Sequence, residues 1–334
     1  MNNISELGEF ELINKISDIN LPQPQRVIKG IGDDCAVVRQ SDGSPLLITV
    51  DQLVDGVHFK KELHPPRLLG KKLLAINLSD IASMGGKPLD AVVTAQLPGD
   101  TEVSWLEEFF KGLEEMATEF KVNIVGGDTT SSSAGLSFTL TLTGVPISRT
   151  IYRSGALPGD DLYVTGHIGD SAAGLHQLLH GADPSNSDSL LMRYLSPEPR
   201  IELGLKLAKL DVVHAMTDVS DSLAIDINNI GQASNQQLLC CRDLIPLSPE
   251  LIHFCRNHNL DSYKLALTGG GDYELLFSAA PSGEQIILDI AKTSGVKITK
   301  IGAVGDAGVK HWRDLMPDRM LEQLEPDGWE HFRS

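Results

Sequence analysis

Positive charge is scarce in this sequence. Lys and Arg number 28 against 45 Asp and Glu, a formal net charge of −17 over 334 residues. Nucleic acid and anionic lipid both demand Lys and Arg to neutralise phosphate, so neither is an expected partner. Cysteine is scarce as well. Cys35, Cys240, Cys241 and Cys255 form no C-x-x-C pair, which removes zinc and dithiol redox motifs and leaves reduced core thiols. No stretch approaches the roughly 20 apolar residues of a membrane span. Met1 to Phe10 carries Glu6 and Glu9 without an apolar run, unlike a secretory signal. The expected location is the cytoplasm. Neither the G-x-x-x-x-G-K-[ST] loop nor the protein-kinase motif set occurs. Gly30-Ile31-Gly32 runs into Asp33 and Asp34, which would repel a pyrophosphate unless a metal intervened.

Hydrophobic residues at 41% and charged residues at 22% give an ordinary globular balance, and the length suits about two domains. Leu46–Val50 reads as a buried strand. Pro65-Pro66 opens a helix that Gly85-Gly86 closes, with Pro at the first turn and Gly after the last. Asp90–Leu97 reads as a strand and Val103–Phe120 as an amphipathic helix with Leu106, Phe109, Phe110, Leu113, Ala117 and Phe120 on one side. Strands are expected at Val122–Val125 and Leu136–Val145. The polar stretch Pro146 to Asp161 sets a domain boundary near residue 150, giving domains 1–150 and 151–334. The second half reads as strands at Leu162–Thr165, Leu238–Cys241, Tyr273–Ser278 and Val296–Val304. Helices are expected at Ser171–Leu179, Arg200–Leu210, Ser222–Ala233 and Glu284–Ala291, with a loop over Gly181–Ser189.

Six segments repeat one design, an aspartate beside Gly, Ser or Thr near the end of an apolar run. They are Gly30-Ile31-Gly32-Asp33-Asp34, Thr49-Val50-Asp51, Asn77-Leu78-Ser79-Asp80, Gly126-Gly127-Asp128-Thr129-Thr130, Thr217-Asp218-Val219-Ser220-Asp221 and Gly269-Gly270-Gly271-Asp272-Tyr273-Glu274. Strand ends and the loops after them are where α/β proteins build sites. If these aspartates converge, two like charges 4 Å apart repel by about 4 kcal/mol at an effective dielectric near 20. Such a group either protonates or holds cations. Hard carboxylate and hydroxyl oxygens suit Mg²⁺, which shares its ligands with phosphate, and the glycines let backbone N–H groups approach phosphate closely.

Taken singly, a Gly-Asp or Ser-Asp pair is ordinarily a turn or a helix cap, and Asp218–Asp221 could cap the helix that follows. The same segment fails the EF-hand pattern because Leu223 stands where Gly is needed. Asp80 resists the bland reading, since it lies late in a helix where negative charge opposes the dipole. A lone His such as His58 is ordinarily structural, but Asp51 is close in sequence. Arg149 and Arg153 are surface residues of a polar linker or, more sharply, charges poised over a transferred phosphate. Trp329 either anchors the C-terminus or stacks on a planar ring.

These segments, in this order, resemble the thiamine-monophosphate kinase family, part of the group that includes aminoimidazole ribonucleotide synthetase and selenophosphate synthetase. The likeness runs from Gly8-Glu9-Phe10 to Trp329-Glu330-His331-Phe332. It rests on the combination of Gly-Ile-Gly-Asp-Asp, Asn-Leu-Ser-Asp, Gly-Gly-Asp-Thr-Thr, Arg-Ser-Gly-Ala, Gly-Asp-Ser-Ala-Ala-Gly and Asp-Tyr-Glu-Leu. The resemblance implies ATP-dependent phosphorylation of thiamine monophosphate to thiamine diphosphate by direct in-line transfer, without a protein general base. It implies several Mg²⁺ ions on Asp33, Asp34, Thr49, Asp51, Asp80, Asp128, Asp218 and Asp221. ATP would contact Gly127, Asp128, Arg153 and Ser220, with Arg153 also stabilising charge. His58, Asp272 and Trp329 would face the thiamine side, together with Gly271, which stands where the family commonly has Glu. The implied fold is two α/β (α+β) domains: an N-terminal mixed sheet with helices on one face, pairing across a homodimer, and a C-terminal α/β sandwich. A sister synthetase with another acceptor, or a non-catalytic magnesium–nucleotide-binding regulator, are the alternatives.

Overall fold

The computed structural model describes residues 4–17, 19–305, 323–328 and 331–332. The chain opens with α1 (Ile4–Leu7) and α2 (Glu9–Ile16). There follow β1 (Val27–Lys29), β2 (Ala36–Arg39), β3 (Pro45–Val54), α3 (Pro66–Ser83), β4 (Gly86–Leu97), α4 (Val103–Phe120), β5 (Asn123–Ser131) and β6 (Ser137–Pro146). Their sheet has the order β1-β2-β3-β6-β4-β5, antiparallel except for the parallel β4–β5 pair that α4 connects. Parallel neighbours need such a crossover.

The second half contains β7 (Asp161–Thr165), α5 (Asp170–Leu179), α6 (Ser189–Leu195), α7 (Ile201–Leu207), β8 (Val213–Asp218) and α8 (Leu223–Ser234). It continues with β9 (Leu238–Cys240), α9 (Pro249–His258), α10 (Ser262–Thr268), β10 (Leu275–Ala279), α11 (Glu284–Ser294) and β11 (Ile298–Val304). This antiparallel sheet has the order β8-β10-β7-β11-β9. Its central strands β7 and β10 are buried at every residue, as expected of strands covered on both faces. The largest apolar core runs through both sheets, from Leu140 and Phe138 to Tyr163, Met216 and Phe277.

α3 explains how one helix can serve both halves. It is buried almost all round, from Leu69 to Ser83, because the first sheet, α4, α7 and β8 all pack on it. Such a helix needs no polar stripe. Its crossing with α4 is close enough to require glycine on both sides: a Cβ at Gly70 would lie 1.9 Å from the Phe109 carbonyl oxygen, and one at Gly112 1.8 Å from that of Arg67. The C-terminal end of α3 therefore meets β3 on one side and β8 on the other.

Several expectations shift. On α4, Phe110 turns outward at 43% exposure, while Phe109, Leu113, Met116 and Ala117 fill the core. β5 does not stop at Val125. It continues through the Gly126-Gly127-Asp128 segment, in register with β4 as far as Leu97 and Ser131. Glycine permits this, because a Cβ at Gly127 would lie 1.9 Å from the Val93 carbonyl oxygen. Tyr273 and Glu274 precede β10 rather than forming it.

Candidate active site

Three chain segments meet where α3 ends. Asp80 comes from its last turn, Asp218 from the end of β8, and Asp34 from the loop before β2. Each offers a carboxylate oxygen within 4.8 Å of the others. Hydroxyls from α3, β8 and β3 hold them. The Ser79 hydroxyl donates to Asp218 Oδ2 at 2.5 Å, Ser83 to Asp34 Oδ2 at 2.5 Å, Thr217 to Asp34 Oδ1 at 2.9 Å, and Thr49 to Asp80. Asp218 is 1% exposed, and its Oδ1 is buried with no hydrogen-bond partner. Such an atom calls for an unseen ligand.

Charge here is unbalanced. Burial, then Asp34, raises Asp218 to about 8, with Ser79 and Arg153 working against them. Burial, then Asp51 and Asp218, pushes Asp80 well above the carboxylate range. Burial and Asp221 raise Asp51 to about 6, and burial and Glu9 raise Asp221 to about 6. Asp33 reaches about 6 through burial and Asp34, although Lys29 Nζ lies 3.2 Å away. The Arg153 guanidinium grips Asp34 Oδ1 through Nε at 2.8 Å and Nη2 at 2.6 Å. Oxygen donors, a surplus of negative charge and a vacant buried lone pair fit Mg²⁺.

The residue that shapes the Asp218–Asp221 loop escaped the sequence reading. Asp226, fully buried on α8, accepts the N–H groups of Ser220 at 3.2 Å and Ser222 at 3.3 Å. Ser222 itself caps α8 by accepting the Ile225 N–H at 3.1 Å. Asp218 and Asp221 are thereby released from the capping alternative. The cue was available: an acid four residues after a serine, at the start of a helix, is placed to receive loop amides.

Other expected residues stand apart. Asp128 is exposed on β5, beside Thr94 in register, and its side chain makes no hydrogen bond or ion pair among the described residues. Gly127 lies beside Val93. Asp272, expected at the substrate, is instead fully buried. Its oxygens accept the N–H groups of Gly169 at 2.7 Å and Ser171 at 3.0 Å, at the start of α5. A carboxylate so occupied serves the helix terminus. Gly271 takes φ +81° and donates its N–H to the Ser220 carbonyl at 2.7 Å. Asn77 donates to its own helix at Leu73 O rather than joining Asp80. Arg149 donates to the Leu210 carbonyl at 2.7 Å and so pins the linker. Trp329 lies outside the described residues.

His58 lines a cavity of about 480 Å³ together with Asp51, Val50, Glu9, Leu12, Ile13, His331 and Phe332. Its Nε2 lies 3.3 Å from His331 Nε2. Burial, then His331 and Lys72, lowers His58 to about 4, so the ring is neutral near pH 7. The apolar wall from α2 was missed, although Gly8-Glu9-Phe10 marked that region. Its partners His331 and Phe332 come from the far end of the chain, and no local pattern announces such a pairing.

Two family models cover most of this chain: AIR synthase related protein, N-terminal domain, over residues 32–146, and the corresponding C-terminal domain over residues 158–312. A thiamine-monophosphate kinase of Bacillus subtilis (strain 168) is 34% identical over 332 residues, spanning 98% of this chain and 100% of its own. The chain belongs to the thiamine-monophosphate kinase family. Another such kinase, from Escherichia coli (strain K12), is 38% identical across 97% of this chain and 98% of its own. The solved structure of AaThiL complexed with AMPPCP and TMP matches with a TM-score of 0.83 at 31% identity, covering 99% of both chains. The crystal structure of thiamine monophosphate kinase from Aquifex aeolicus matches at 0.76 and 30% identity, covering 92% of this chain and 96% of that one. These matches bear out the two-part α/β fold and the family expected from the ordered aspartate segments.

Proposed function

We propose that this enzyme transfers the γ-phosphoryl group of ATP to the phosphate of thiamine monophosphate by direct in-line displacement, giving thiamine diphosphate and ADP. The convergence of Asp34, Asp80 and Asp218 carries the reading, since it concentrates anionic oxygen where two phosphates would have to be brought together. The naming of the Bacillus and Escherichia relatives, and the AMPPCP and TMP bound in AaThiL, support these two substrates.

Magnesium ions would be held by Asp33, Asp34, Thr49, Asp51, Asp80, Asp218 and Asp221, with Asp128 joining from β5. When bound, they would neutralise charge between donor and acceptor phosphates and polarise the phosphoryl oxygens. The chain's own residues supply orientation. Hydroxyls of Thr49, Ser79, Ser83 and Thr217 hold the carboxylates in fixed rotamers. Arg153 is a permanent positive charge beside the nucleotide and offsets negative charge in the transition state. Gly127, Asp128 and Ser220 complete the ATP contacts. A phosphate monoester has a second pKa of about 6, so the attacking oxygen is already ionised and no side chain need remove a proton. Neutral His58 faces the thiamine moiety, and Gly271 and Trp329 flank it, while Asp272 holds the start of α5.

We assign residues 1–150 to magnesium, ATP and dimer contacts, and residues 151–334 to completing the site. β5 favours a homodimer. It is an edge strand exposed at all nine residues, with Val125 at 62% and neighbouring Val92 at 42%, and long exposed apolar edges invite pairing. No described helix is long and apolar enough to cross a membrane, and we assign the enzyme to the cytoplasm. The test is incubation with Mg²⁺–ATP and thiamine monophosphate, with thiamine as control. Equimolar thiamine diphosphate and ADP are expected. Nucleotide binding without thiamine diphosphate would overturn the acceptor and point to a sister reaction.

A further inference from the structure

His58 reaches its cavity from a loop that closes on itself. The Gly56 N–H donates to the Phe59 carbonyl at 2.7 Å, and the His58 N–H to the Val54 carbonyl at 2.9 Å. The Val54 N–H donates to His58 Nδ1 at 3.1 Å. That bond makes Nδ1 the acceptor, so the ring proton sits on Nε2, toward His331. The His58 carbonyl is tied elsewhere: it accepts the Tyr194 hydroxyl at 3.0 Å.

Tyr194 belongs to the last turn of α6, in the second half of the chain. Its ring is fixed from two sides. The Lys72 ammonium lies 3.7 Å from the ring centroid and donates to the Tyr194 carbonyl at 2.9 Å. The His64 ring is 5.9 Å away, and its Nε2 lies 3.1 Å from the Leu195 carbonyl oxygen. Burial raises the phenol to about 12, so it stays a donor at working pH. The adjacent Arg193 reaches a different segment. Its Nη2 donates to Glu274 Oε1 at 2.5 Å and to the Asp272 carbonyl at 3.2 Å. That segment carries Gly271, whose N–H binds the Ser220 carbonyl between Asp218 and Asp221. Two consecutive side chains thus hold the two walls that flank the acidic group.

We propose that the last turn of α6 is a strut setting the acceptor cavity in register with the acidic group, with Tyr194 the positioning residue for His58. The inference rests on the acceptor reading above. Tyr194→Phe removes one hydroxyl and keeps the ring. Losing one neutral hydrogen bond should raise KM for thiamine monophosphate about fivefold. KM for ATP and kcat should stay near wild type, a split that general structural damage would not give. Lys72→Met, which frees the Tyr194 carbonyl and removes the charge over its ring, should shift the same KM in the same direction and covers the case of a poorly folded Tyr194 variant. An unchanged acceptor KM in both variants, or an equal rise for ATP, overturns the strut. Wild-type enzyme that makes no thiamine diphosphate is a separate failure, because it removes the acceptor reading before any variant is compared.

Discussion

Two buried groups of charge in this molecule look alike in sequence and behave oppositely. Glu274 is fully buried, yet its pKa lies below the usual carboxylate range. Burial pushes it up, but Arg200 and Arg193 outweigh burial. Arg200 donates through Nε at 2.8 Å and Nη2 at 2.6 Å, Arg193 at 2.5 Å, and Thr165 at 2.6 Å. Asp218 is buried just as deeply and Asp80 is half-buried, but their neighbours are Asp34 and Asp51, and both are raised. A buried carboxylate surrounded by its counter-charges is scaffold. A buried surplus of one sign is a site that waits for cations.

That contrast breaks first on the acidic side. Asp218→Asn and Asp51→Asn should each lower kcat by about 1000-fold, the loss typical of removing a fixed transition-state contact, while the fold survives because repulsion is relieved. Unchanged kcat in both variants would sink the magnesium scheme. Glu274→Gln should do the reverse. It takes the shared counter-charge from the largely buried Arg193 and Arg200, leaving them only the Asp272 carbonyl and the exposed Glu198, and should cost about 3 kcal/mol of stability. Denaturant unfolding checks this, and a loss below the measurement error would mean the triad is not scaffold. Asp272→Asn tests which side of the divide Asp272 belongs to. Losing one of two amide contacts at α5 should cost about 1 kcal/mol without altering KM for thiamine monophosphate; a raised KM with intact stability would return Asp272 to the substrate.

Most of the first sheet and the central helices are legible in the sequence, because α4 and β6 carry strong periodicity and α3 has clear Pro and Gly punctuation at its ends. The aspartate segments are legible for a related reason: acid, hydroxyl and glycine at strand ends form a local pattern. What is illegible is set by distance along the chain. Nothing near Glu274 says that Arg193 and Arg200 will neutralise it, and nothing near Asp218 says that its Oδ1 will be buried without a hydrogen-bond donor among the described residues. Asp272 and Asp218 sit in similar surroundings of Gly, Ser and Thr, and only the fold separates a helix support from a ligand. β8, α9 and α10 are not apparent because their apolar runs are short; β8 is also covered on both faces, so its periodicity is lost, while α9 buries only Leu251, Phe254 and Cys255.

The surplus-charge claim is tested most directly by thermal unfolding of the wild type and Asp218→Asn between pH 5 and 8, with and without Mg²⁺. Asp218 is raised to about 8 in the folded state, against about 3.9 unfolded. The folded state therefore holds the proton longer. Its stability is unpenalised at low pH and falls as pH rises toward 8. Contributions from His58, His64 and Lys72 are common to both proteins and cancel in the difference. Without Mg²⁺, the variant should be the more stable protein, by a margin that widens up to pH 8. With Mg²⁺, the wild type should overtake it. A wild type at least as stable as the variant at pH 8 without Mg²⁺, and unmoved by adding it, would contradict the account.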